Sequence, residues 1–292
     1  VTLNVAMNPS IEPSSKGHRT RTRSQKVARK QRALPQDISI DFSIPPAFRN
    51  KHTRTWIART VTRAMLSHLL YTRGIVPSPV SEILRLDDEL SGCKSSQVRS
   101  IRKCARQISD LIQQVDNIII DSNYGHLIDA VLLTLGPSWS RQRERHILHL
   151  GNLGEDSKSA LSPSVQNEHT LSRKFIANLM DFSNESLNNS TDNFLYKSAM
   201  CASSYQAQVS VWVPMETAKE MYNDKRVTDS NKNVVVRHDF TTQEKTKNRS
   251  QTKSLMINAS VAGVNQPEWD ESLGVWMTLK TAVKGFRSMP NR

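Results

Sequence analysis

Three places in this 292-residue chain carry residue types and spacings that chemistry could use. His146 and His149 stand three apart in RERHILHL, a separation that would put both imidazoles on one helical face. Two imidazoles without further ligands seldom make a metal site, so the pair reads as surface or partly packed histidines. Asp87, Asp88 and Glu89 form an acidic run, but adjacent side chains diverge, and the run reads as a solvated turn. GNLG at 151–154 has the glycines of a phosphate loop without the Lys-Ser/Thr that should follow them. There is no Walker loop, G-x-S-x-G elbow or dinucleotide fingerprint. Active sites also assemble from distant residues, yet without a motif the expectation is a non-catalytic chain that takes no cofactor. Cys93, Cys104 and Cys201 form no even framework and no C-x-x-C pair, which fits reduced thiols of an intracellular protein.

The elements that would have to position a site come next. Ile38, Ile40, Phe42 and Ile44 alternate through QDISIDFSIPP (36–46), a period of two that predicts a strand closed by Pro45 and Pro46. Residues 55–73 predict a helix that is apolar on most sides and therefore central, stopped by Gly74, Pro77 and Pro79. The spacing of Val98, Ile101, Ala105, Ile108, Leu111 and Val115 predicts a second helix over 96–120. Packing across a sheet accounts for its stripe more economically than a coiled coil, because LIDAVLLTL (127–135) beside it reads as a strand. Residues 165–182 predict a third helix with two apolar faces. Ser172, Ile176, Leu179 and Met180 lie on one face, and Leu171, Phe175, Asn178 and Phe182 on the other. One face serves the core; the other is either a second core contact or a binding surface. Beyond the Asn/Ser-rich 183–193, four β-branched runs follow at 207–215, 233–240, 254–261 and 274–286, with no helix pattern between them. Helices early and strands late predict an α+β fold whose sheet is antiparallel.

Charge places the remainder. Of the net charge of +13, +7 lies in residues 1–35, where eight Lys and Arg face Glu12 alone. A segment so charged and so poor in aromatics is expected to be a disordered basic arm before a domain at 36–292. The arm reads as a solvated extension, a nuclear import signal or a contact for an acidic partner. No recognition motif accompanies it, so sequence-specific nucleic-acid binding is not expected, and an electrostatic phosphate contact stands as the second reading. With no long apolar run the chain is expected to be soluble.

HLLYTRGIVPSP (68–79), with His68, Tyr71, Arg73, Pro77 and Pro79, resembles the segment that ends the first helix of the comet family. These are spindle-checkpoint silencing proteins, also called mitotic arrest deficient 2-like 1 binding proteins. RKCARQISDLI (102–112) is similar to the next family helix, and TLSRKFIANLM (170–180) to its partner-facing helix. VKGFR (283–287) is similar to the final strand. The resemblance implies a HORMA-like fold, with a sheet backed by about three helices. It also implies an adaptor that binds the closed conformer of the mitotic arrest deficient HORMA protein and delivers it to a hexameric AAA+ ATPase. That activity belongs to nucleus and cytoplasm, and to kinetochore or spindle in mitosis. Carried onto this chain, Phe175 would be the aromatic anchor, with Leu171, Arg173 and Asn178 beside it. Thr72 stands where familiar members carry a partner-contacting Gln, and Arg237 where a Lys supports remodeller binding. The basic arm is more pronounced than usual, and loops at 217–231 and 241–253 are long.

Overall fold

β1 (Ile38–Ile44) buries Ile40, Phe42 and Ile44 on one side and exposes Ser39, Asp41 and Ser43 on the other, as its alternation requires. The computed structural model describes residues 38–49, 52–89, 96–121, 124–138, 141–153, 165–189, 205–223, 234–236, 253–261 and 270–285. The arm expected over 1–35 lies outside them, as does Arg237.

After a single turn, α1 (Pro46–Arg49), the chain enters α2 (Arg54–Thr72). Thr53 caps it, its Oγ1 accepting from the Trp56 N–H at 3.2 Å. Most of α2 is buried, from Trp56 and Ile57 through Met65 to Leu70, so it is the central helix its wide apolar surface predicts. Gly74 ends it at φ 62°, a left-handed conformation that a Cβ would strain, and Ile75 N–H reaches back to Leu70 O at 3.0 Å. Arg54 is buried at its start. The guanidinium donates to Ile128 O at 3.0 Å, to Leu150 O at 3.4 Å and to His126 O, and it pairs with Asp129 at 3.3 Å. One cation thus ties the first turn of α2 to the entry of one strand and the exit of the next.

α3 (Val80–Glu89) follows, and Asp87, Asp88 and Glu89 form its last turn instead of the isolated turn expected for them. α4 (Ser96–Asp116) buries Cys104, Ala105, Ile108, Leu111 and Val115 and continues into a π-helical turn, Asn117–Asp121, matching the helix expected over 96–120. Close approach fixes Gly125, where a Cβ would run into the Ile119 carbonyl oxygen. β2 (Ala130–Gly136) pairs antiparallel with β3 (Glu144–His149), a strand where a helical face was considered for the two histidines. On a strand, residues three apart point to opposite faces, so His146 and His149 do not converge. α5 (Val165–Asn189) leads to β4 (Gln206–Pro214). α6 (Met215–Asn223) then intervenes where no helix was expected. It shortens the long polar loop read over 217–231. β5 (Val234–Val236), β6 (Lys253–Val261) and β7 (Gly274–Lys284) complete the chain of elements.

The fold is α+β. Its sheet is mixed rather than antiparallel, in the order β1-β6-β3-β2-β4-β7-β5. β6 follows β5 in sequence but sits near the opposite end, parallel to both β1 and β3. Adjacency along the chain was the premise of the antiparallel expectation, and this long-range placement removes it. The principal core lies between the sheet and the helices. A second cluster of Ala130, Leu132, Ile147, Trp212 and Trp276 covers the other face. There Glu271 accepts from both indoles, through its backbone carbonyl from Trp212 at 3.3 Å and through Oε1 from Trp276 at 2.6 Å.

Candidate functional site

α5 is the helix on which the family resemblance implies a partner contact, and the structure reassigns its faces. Leu171, Phe175 and Leu179, spaced by four, are buried in the core, and Phe175 has no exposed surface. The Phe175 ring meets Phe42 of β1 edge-on, with centroids 5.0 Å apart and planes at 90°. Phe175 and Leu171 are therefore not the exposed anchor expected of them. α5 packs against both α2 and β1, so two of its sides are occupied. Ile176 and Phe182 are partly buried against the same core. Apart from Met180, the two apolar faces about 110° apart thus merge into one broad core-facing arc. Their spacing is visible in sequence, whereas the width of the surface that receives them is not.

The side of α5 opposite Phe175 carries His169, Arg173, Ala177 and Met180, all exposed. Met180 is the largest apolar group among them, at 45% exposure. Asn178 lies between the two sides, half-buried, and its Oδ1 is covered without a hydrogen-bond partner among the described residues. Arg63 of α2 anchors the first turn of the helix to Glu168 at 3.2 Å, and Asn167 Nδ2 lies 3.2 Å from His52 Nε2. Lys174 extends over the Phe48 ring at 5.8 Å. These contacts hold the inner side and one flank of α5 and leave the outer strip uncovered.

The end of α2 supplies the other expected contact. Tyr71 is 46% exposed there. Thr72 is half-buried, and its Oγ1 donates to His68 O at 2.9 Å, so that hydroxyl proton already serves its own helix. Arg73 turns inward instead. At 2% exposure its Nε meets Glu144 Oε2 at 2.9 Å, and the same oxygen lies 3.2 Å from His146 Nε2. The buried Arg73–Glu144–His146 cluster thus joins the end of α2 to β3. Burial lowers the His146 pKa, the Glu144 hydrogen bond opposes that shift, and the nearby Arg73 charge adds to it. Burial and the same Arg73 charge lower His68. Burial alone presses His149 down to about 4. Sequence reasoning singled out Arg73 but missed Glu144. The signal available was the period of two in RERHILHL, which puts Glu144 and His146 on one face of a strand.

Of the expected contact residues, the structure leaves Arg173 exposed and Asn178 and Thr72 partly so, buries Leu171 and Phe175, and does not describe Arg237. Among the described residues no cluster of three His, Cys, Asp or Glu could hold a metal ion. A groove of about 580 Å³ between α2, α3 and α4 has Arg59 and Arg63 on its wall, but both already pair with Asp116. No helix among the described residues is long and apolar enough to cross a membrane.

No protein-family model matches this chain, and no curated protein sequence does.

Proposed function

We propose that this protein is a non-catalytic, HORMA-like adaptor that binds the closed conformer of a mitotic arrest deficient HORMA protein. It presents that partner to a hexameric AAA+ ATPase for remodelling, promoting disassembly of the mitotic checkpoint complex and mitotic exit. The observation that carries the reading is the outer strip of α5. The helix is long, held from two sides, and leaves Arg173, Ala177 and Met180 facing solvent. An Arg and a Met beside a small residue suit the edge of a helix-to-helix contact. Arg is enriched among interface anchors, and Met adapts to irregular surfaces. The contact is placed on this strip and not on Phe175, with exposed Tyr71 and half-buried Thr72 at the end of α2 as further positions.

A purified closed-conformer partner tests the reading directly. Arg173→Glu combined with Met180→Ala is expected to weaken capture at least tenfold, about 1.4 kcal/mol, with an unchanged melting temperature. Absence of any complex with the parent chain overturns the assignment of partner. Full retention by the double variant overturns the assignment of surface.

A further inference from the structure

Among the described residues the sheet ends at β5 (Val234–Val236) and at β1, which runs for seven residues and pairs on one side, with β6. Among the described residues nothing pairs with its outer edge, so alternate residues of β1 direct their N–H and C=O groups away from the sheet. Protein edges are ordinarily blunted by Pro, Lys, a bulge or short length. Within Ile38–Ile44 there is no Pro and no Lys, and the register with β6 runs unbroken from Ile38↔Leu255 to Ile44↔Val261.

The side chains of β1 set what can lie beside it. Ile40, Phe42 and Ile44 are buried on the helix side. Asp41, at the centre of the exposed side, is the strand's one charged residue. Asn258 of β6 donates to Asp41 Oδ1 at 2.8 Å and to Ser39 Oγ at 3.0 Å, which holds the carboxylate on the side of β1 opposite the helices. Among the described residues no cation pairs with it. A second copy of this chain fits poorly: an antiparallel self-pair centred on β1 would set the two Asp41 carboxylates directly opposite each other, where like charges repel. A cation in that place would be attracted.

We propose that the β1 edge is a strand-addition site for an extended segment of a partner protein. Main-chain hydrogen bonds would supply the affinity, and a Lys or Arg opposite Asp41, between β-branched neighbours, would supply the selectivity. The site is separate from the outer strip of α5 and does not depend on the function proposed for that strip.

The test uses the full chain and a synthetic, end-blocked nine-residue peptide of alternating Val and Thr with a central Lys. Saturable binding is expected, with slowed amide exchange confined to β1 and its neighbours. A central Glu in the peptide should weaken binding about fivefold, and Asp41→Lys should invert that preference. Asp41 is exposed, so the variant is expected to fold, which circular dichroism checks. Three results overturn the proposal: no saturable binding, equal binding of a peptide N-methylated at alternate residues, or a preference that Asp41→Lys leaves unaltered. Concentration-dependent dimerisation that protects β1 without peptide would assign the edge to a second copy and overturn it as well.

Discussion

Phe175→Ala separates a core role from an interface role in one sample. The side chain is fully buried and its ring meets Phe42 at 5.0 Å. Truncation of a buried Phe costs about 3–5 kcal/mol, because the neighbours collapse only partly into the space left behind. Roughly 0.5–1.5 kcal/mol of that belongs to the edge-on aromatic pair. For a domain of this size each kcal/mol shifts the melting temperature by about 2–4 °C, so the drop should be on the order of 6–20 °C. Phe175→Leu keeps most of the volume and should cost distinctly less. Phe42→Ala in the Phe175→Ala background should cost less than Phe42→Ala alone, because the pair is already lost. The assay is thermal and urea unfolding of the parent and these four variants, run beside partner capture at a temperature where all remain folded. Capture there should persist, since Phe175 faces inward. A melting temperature within about 2 °C of the parent, with capture abolished, would refute the core assignment and restore Phe175 as the anchor.

Other consequences follow from the buried charges and imidazoles. The His149 pKa lies near 4 when folded and near 6.5 when unfolded, so its contribution is complete above pH 6.5 and fades as pH falls toward 4. His149→Gln should remove about 2 kcal/mol of the stability loss between pH 7.5 and pH 5 in urea titrations. Parallel pH profiles for variant and parent would contradict this. Arg73→Met breaks a buried ion pair with Glu144 and should cost about 3 kcal/mol or more. Glu144→Leu in the same chain should recover part of that loss, and additive losses in the cycle would show that the pair is not coupled.

The sequence by itself determined the elements whose cause is local. α2, α4 and α5 follow from apolar spacing that repeats over many turns, and the stop at Gly74 follows from a conformation that glycine adopts without strain. β1 follows from strict alternation, and the α+β class from the order of elements. α6 and α3 went unread because each is short and its pattern is brief. RERHILHL was ambiguous because histidines three apart suit a helix as well as a strand until a partner strand fixes the period. Tertiary structure alone decided the sheet order, since β6 pairs with β1 and β3 across more than a hundred residues of chain and no local signal encodes that placement. It also decided which side of α5 is free. Phe175 and Met180 are both apolar residues on one helix, and only the positions of β1 and α2 bury the first and leave the second in water.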